Sequence, residues 1–342
     1  MPEPEPTLPE TIDVHAHLVD AASADAMHEL LPEHVATFRR LDDGTWRCTF
    51  PSGKQRPVPS GLVDPEVRLA DMDAQGIGLQ AVSCSTWLYL YAAPAERAAA
   101  ALRLQNDAFC ALARDHPGRF AALACLPLQD PVRAVAEIAR LAERPEVAGV
   151  GIATNVAGTD LDAPGFAPVW GALQEADLPV LVHPYPESIA GRERLGDYHL
   201  ANLIGNPLET TIAVARLACS GILDRFPRLR FGFVHGGGFV PYQLGRWDHG
   251  WEVRPETRQA ISSPPSEHIG RFTFDALTHD PRSTAFLRTR LGLDRMVVGT
   301  DYPWDMSVGQ PLEALAAAGL SPAEVARIAG PNARAFLRLP AA

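Results

Sequence analysis

Positive charge is what this sequence is short of. Lys and Arg together number 30 against 41 Asp and Glu, which leaves a formal net charge of −11. Nucleic acid and anionic membrane both demand basic surface, so neither is an expected partner. No apolar run reaches the roughly 18 residues that a membrane span needs. Cysteine is sparse and odd in number: Cys48, Cys84, Cys110, Cys125 and Cys219 are scattered, with no C-x-x-C spacing. That argues against a disulfide framework and favours a reducing cytoplasm. Cys84 and Cys125 fall inside apolar runs and read as small core residues. The opening stretch, MPEPEPTLPE, is acidic and proline-rich, unlike a signal or transit peptide. Internal repeats and low-complexity segments are also missing.

What remains is an ordinary soluble composition, 46% hydrophobic and 21% charged in 342 residues. Short apolar runs alternate with longer, Ala-rich segments of helical period, the pattern of a parallel sheet with crossover helices. Strands are predicted at Thr11–His17, Gly78–Ser83, Arg119–Leu126, Val147–Ala153, Pro179–His183, Leu229–His235, Arg271–Ala276 and Arg295–Asp301. Helices are predicted at Asp64–Gln75, Pro94–Asp115, Asp130–Glu143, Gly165–Ala176, Pro207–Phe226, Pro241–Trp251, Arg282–Leu291 and Gln310–Ala318. Asp64-Pro65, Asp130-Pro131 and Ser321-Pro322 mark helix starts, and Ser321 with Glu324 forms a capping box opening a last helix to about Leu337. Eight β/α pairs are the count of a closed (β/α)8 TIM barrel. The expected fold is thus a single α/β domain over residues 1–342, with a small insertion at about 18–63 and a C-terminal helix.

Two connections are too long for simple loops. Within the insertion, Thr45–Phe50 reads as part of a small β-hairpin subdomain. The second runs from Pro184 to Asn206 and holds Arg192, Arg194, Asp197, Tyr198 and His199. Both leave the C-terminal face of the barrel, where long loops act as lids or binding elements.

The strand ends carry the chemistry. Strand one contains His15-Ala-His17, whose side chains share one face because strand side chains alternate. Such a pair arises by chance in roughly one chain in three of this composition. Strand five, however, ends Leu181-Val-His183-Pro, strand six Phe233-Val-His235-Gly-Gly-Gly238, and strand eight Gly299-Thr-Asp301-Tyr-Pro. Four strands delivering His or Asp to one mouth favour a mononuclear site of three His and one Asp, with donors suited to Zn²⁺, Mn²⁺ or Fe²⁺. Five candidates compete for those places. His235 is taken as the acid–base group, because its glycine tail allows close backbone approach and a neutral imidazole moves protons near pH 7.

These segments (IDVHAH, LVHP, FVHGGG, GTDYP) resemble the amidohydrolase superfamily. DPEVRLADMDAQGI, NPLETTIA, LGRWDHG and MVVGTDYPWD extend the likeness to the branch of metal-dependent, non-oxidative decarboxylases typified by 2-amino-3-carboxymuconate-6-semialdehyde decarboxylase, from about Ile12 to Leu337. The resemblance implies His15, His17, His183 and Asp301 as ligands of one divalent ion, Zn²⁺ first and Mn²⁺ second, with no organic cofactor. It casts Asp301 and His235 as catalytic, a metal-bound water and His235 bringing the proton to the carbon that loses CO₂. It also implies two substrate-gripping arginines, Arg47 and Arg246, the second reaching across a homodimer or higher homo-oligomer. Tyr185, beside the His183-Pro184 step, is expected on the substrate side. Departures from the family pattern fall at Tyr185–Glu187, Arg194–Leu203 and Asp42, all in loops that face the substrate. The expected substrate is a small unsaturated or aromatic carboxylic acid, semialdehyde-like or an ortho-hydroxy- or aminobenzoate. Two alternatives use the same sequence: a hydrolase or lactonase of the superfamily, and a catalytically inactive barrel serving as a binding protein.

Overall fold

The computed structural model describes residues 11–339, so the acidic MPEPEPTLPE stretch lies outside the described residues. Each predicted apolar run forms a strand: β1 (Ile12–Leu18), β2 (Leu79–Cys84), β3 (Phe120–Ala124), β4 (Val147–Ala153), β5 (Val180–His183), β6 (Phe231–Phe233), β7 (Thr273–Asp275) and β8 (Met296–Val297). Neighbours in sequence are neighbours in space, and every pair is parallel. Helical crossovers impose that order. The ring closes where β8 and the chain after it return to β1: Asp13 bridges Val298 and Ala16 bridges Tyr302. Hydrogen bonds from Val14 N to Val298 O (3.0 Å) and His17 N to Tyr302 O (2.8 Å) hold this seam. The fold is the expected (β/α)8 barrel.

The last three strands are shorter than predicted. After β6 and β8 the chain turns through residues with left-handed φ, 56° at His235 and 61° at Asp301, a conformation foreign to an extended strand. Inside the ring, Ile12, Val14, Leu79, Leu123, Leu181, Val234 and Val297 form a core that Phe336 joins from the C-terminal helix. A Cβ on Gly232 would strike the Phe336 ring at 2.5 Å, so β6 needs glycine where that plug enters. A second, larger core lies between the sheet and the helices.

The helices are α1 (Ala21–Leu30), α2 (Pro65–Ala74), α3 (Ala95–Asp115), α4 (Pro131–Ala142), α5 (Ala167–Glu175), α6 (Asn206–Cys219), α7 (Ile222–Arg225), α8 (Val240–Val253), α9 (Pro265–Ile269), α10 (Pro281–Leu291), α11 (Pro311–Ala317), α12 (Pro322–Ala329) and α13 (Pro331–Phe336). Asp64, Asp130 and Asp280 cap α2, α4 and α10 by accepting from backbone N–H groups, with proline following each. Each cap contributes about 1 kcal/mol. Two predicted helices are broken. Pro207–Phe226 divides at Gly221, where φ is 69° and a Cβ would meet the Ala260 carbonyl. The terminal helix divides at Gly330-Pro331, since proline lacks the N–H that would continue the ladder.

The insertion is richer than a hairpin. Helix α1, capped by Asp20 on Ser23 N (2.6 Å), leads into a three-stranded antiparallel sheet of Thr37–Arg40, Trp46–Thr49 and Gln55–Val58. Arg68 of α2 fastens its return to the barrel. Fully buried, its guanidinium donates to Gly61 O (3.0 Å), Gln80 Oε1 (2.7 Å) and the His17 carbonyl. Burial lowers its pKa to about 10, so it stays charged.

Candidate active site

Strand β1 places the His15 and His17 rings 5.3 Å apart between centroids, edge to face. His183, ending β5, lies 5.1 Å from His15 and 4.9 Å from His17. Asp301, just past β8, brings Oδ1 to 3.0 Å from His17 Nε2 and 3.4 Å from His15 Nε2. One ligand atom from each of these four residues lies within 4.8 Å of the others, and all four residues are buried.

Neighbouring groups fix which nitrogen faces the centre. His15 Nδ1 is 2.8 Å from Asp275 Oδ2, His17 Nδ1 donates to Cys84 O at 2.9 Å, and His183 Nδ1 donates to Pro184 O at 2.7 Å. Carbonyls and carboxylates only accept, so in the neutral form of each ring the lone pair sits on Nε2. His15 Nε2, His17 Nε2 and Asp301 Oδ1 are buried without a hydrogen-bond partner. Buried orphan acceptors cost about 1–3 kcal/mol each unless something fills the space between them. A divalent cation satisfies all of them at once, so the donor set fits a metal ion.

Electrostatics agree. Burial opposes charge on His15, but Asp301 and then the bond to Asp275 outweigh it and push the ring up to about 10. Burial would raise Asp301, yet the charge of His15 and the close approach of the His15 and His17 rings hold it well below the usual carboxylate range. His183 is driven well down by burial, then by His17 and His15. The carboxylate is thus held as an anion beside the rings.

His235 stands beside this cluster, 5.2 Å from His183 between centroids, with Nε2 4.0 Å from Asp301 Oδ2. Burial and then His15 lower its pKa to about 4, so the ring is neutral at pH 7. Its turn is locked from behind. Gly236 N donates to Asp275 Oδ1 at 2.8 Å, while the other oxygen of Asp275 holds His15. Gly237 and Gly238 have φ of 76° and 63°, and a Cβ on Gly238 would overlap the Pro207 carbonyl.

Above the cluster the mouth has two connected halves sharing Asn202, Asn206, Asp301 and Met306. One, of about 180 Å³, holds His17, His183, Arg56, Trp87 and Trp304; the other, of about 550 Å³, holds His235, Phe239, Leu277 and Phe286. The cation in the half that holds His17 and His183 is Arg56, not the expected Arg47, while Arg282 lines the larger half. Arg47 is exposed and donates to Gln55 Oε1 at 3.3 Å. Arg56 pairs across the sheet with buried Cys48 and so takes the inward face. Its guanidinium lies 4.4 Å from the Trp87 ring, 5.2 Å from Phe50 and 5.6 Å from Trp304, and Nε is buried without a partner. Burial lowers its pKa. Arg246 is exposed on α8 and lines neither half. Tyr185 is buried against Tyr89 and Tyr91, its hydroxyl on Glu187, and lines neither half.

Comparison with known proteins bears on what the site does. Residues 12–339 match the amidohydrolase family. The chain belongs to that family. It is 31% identical over 289 residues to 2-amino-3-carboxymuconate-6-semialdehyde decarboxylase of Dictyostelium discoideum, covering 83% of this chain and 79% of the relative. It is 27% identical over 332 residues to gamma-resorcylate decarboxylase of a Rhizobium species, covering 90% and 97%. The solved 5-carboxyvanillate decarboxylase of Novosphingobium aromaticivorans, complexed with manganese and a nitrobenzoic acid, superposes with a TM-score of 0.79 at 22% identity over 96% of each chain. Within the amidohydrolase family this chain is a carboxy-lyase of the decarboxylase branch. No helix of the described residues is long and apolar enough to cross a membrane.

Proposed function

We propose that this decarboxylase acts on a planar aromatic or unsaturated carboxylic acid, with His15, His17, His183 and Asp301 holding one Zn²⁺ or Mn²⁺ ion and His235 moving the proton. The observation that carries the reading is the set of buried, partnerless donor atoms beside a neutral imidazole. When bound, the ion supplies Lewis acidity toward substrate oxygens. Arg56 attracts a carboxylate into the mouth, where the acid's ring lies against Trp87 and Trp304. His235, uncharged at rest, first takes a proton from solvent water, leaving hydroxide to the bulk, and then delivers it to the ring carbon bearing the leaving carboxylate. As that C–H bond forms, the C–C bond breaks, its electron pair returns to the ring and CO₂ departs. The same donors would serve a hydrolase; the relatives' names and the cation Arg56 favour decarboxylation.

A homodimer is part of the proposal. Arg246 shares α8 with Tyr242, which is 81% exposed, and Phe239 beside it is 40% exposed. Arg246 would then complete the partner's mouth. The free cysteines suit the cytoplasm. His235→Ala should retain metal, by elemental analysis of protein purified without added metal, and lose CO₂ release. Loss of metal would make His235 a ligand instead. Mixing His235→Ala with Arg246→Ala protein should restore part of the activity; no recovery from the mixed dimers would sink the cross-subunit role.

A further inference from the structure

The turn ahead of α6 is π-helical, Ala201–Gly205, a wide turn that recurs at functional sites. It delivers Asn202, and next to it Asn206 at the first residue of α6, to the mouth. Both line both halves, whereas Arg56 lines only the half that holds His17 and His183. His199, with left-handed φ of 59°, sits just before the turn and lines the Arg56 half. Among the described residues nothing hydrogen-bonds the side-chain amides of Asn202 and Asn206 or the ring of His199. A carboxamide offers two donors and an acceptor without net charge. Once a ring covers such groups, they lose water, and an apolar edge there leaves them unsatisfied.

We propose that Asn202 and Asn206, assisted by His199, read an uncharged hydrogen-bonding substituent of the substrate ring, a phenolic hydroxyl or an amine, while Arg56 takes a carboxylate. The inference rests on the decarboxylase reading and narrows its substrate class. A site built to hydrogen-bond a hydroxyl rejects the analogue lacking it far more strongly than an apolar pocket rejects a missing methylene. On this reading the polar substituent of the substrate ring faces the π turn, away from the apolar lining of the larger half.

The test is calorimetric titration of the Mn²⁺-loaded full chain with 2-hydroxybenzoate and with its 4-, 5- and 6-hydroxy derivatives. One added hydroxyl should tighten binding about tenfold. Asn202→Leu with Asn206→Leu should erase that gap at unchanged manganese content, and should favour a methyl group at the same ring position. A wild-type chain indifferent to every added hydroxyl overturns the proposal, as does a gap that survives in the double variant. CO₂ release from the preferred acid is read separately. If it is absent while the gap behaves as expected, the decarboxylase reading falls and the hydrogen-bonding wall stands.

Discussion

His15 carries two carboxylates at once, Asp275 on Nδ1 and Asp301 near Nε2. With its pKa pushed up to about 10, the metal-free ring is protonated at pH 8 and must lose a proton for Nε2 to act as a ligand. Metal affinity should therefore fall as pH falls below that value. Titration of Mn²⁺ at pH 8 in buffers of different ionisation enthalpy should report release of about one proton per ion; release of none would place the proton elsewhere. Asp275→Asn removes the anionic anchor of His15 and weakens the hold on Gly236, so metal affinity should drop about 10–100-fold. Measured by chelator competition, an unchanged affinity would deny Asp275 that role. The His and Asp candidates were legible because each follows an apolar run. Asp275 was not, since FTFDAL reads as strand interior and nothing local says that its carboxylate reaches β1. Arg56 was hidden for a related reason. Its inward face is set by pairing with Cys48 across a sheet whose register the sequence does not display.

Among the elements, the segment from Pro184 to Asn206 depends on one carboxylate. Glu209 of α6, buried at 5% exposure, accepts from Ala190 N (2.6 Å), Asn155 Nδ2 (3.0 Å) and Thr154 Oγ1 (3.2 Å). Glu209→Ala should loosen the loop that carries His199 and Asn202, raising KM several-fold while metal content holds. A loop docked as before, by amide exchange, would contradict this. Gly238→Ala should be harsher, because its methyl group meets the Pro207 carbonyl at the start of α6. A loss of about 2–4 kcal/mol in denaturant unfolding is expected. Strands and crossover helices could be read from period and caps. Helix α1 could not, for its Ala-rich stretch sits in a connection dense with turn residues. The break at Gly330-Pro331 was written in the sequence, but the capping box at Ser321 drew the helix past it.

For the molecule as a whole, the seam between β1 and the segment after β8 decides stability. Asp13, fully buried, accepts from Thr300 Oγ1 (2.6 Å), Thr300 N (3.0 Å) and Gln80 Nε2 (2.9 Å), and Gln80 in turn holds Arg68. Of the four proposed ligands, His15 and His17 lie on one side of this seam and Asp301 on the other, so an ion held there would tie the first strand to the last. Chelation should lower the thermal midpoint by about 4 °C when the ion had been held at a hundredfold excess over its Kd. A midpoint indifferent to chelator would mean that the ring closes without help from the site. The same seam sets a schedule. Ribosomes add about 5–20 residues per second, so the His15-Ala-His17 pair exists for roughly 15–60 s before Asp301 is made. A nascent chain therefore holds two metal-seeking imidazoles early and gains the anion that completes the centre only near the end of synthesis. On the proposed ligand set, a complete centre would therefore exist only once nearly the whole chain has been made.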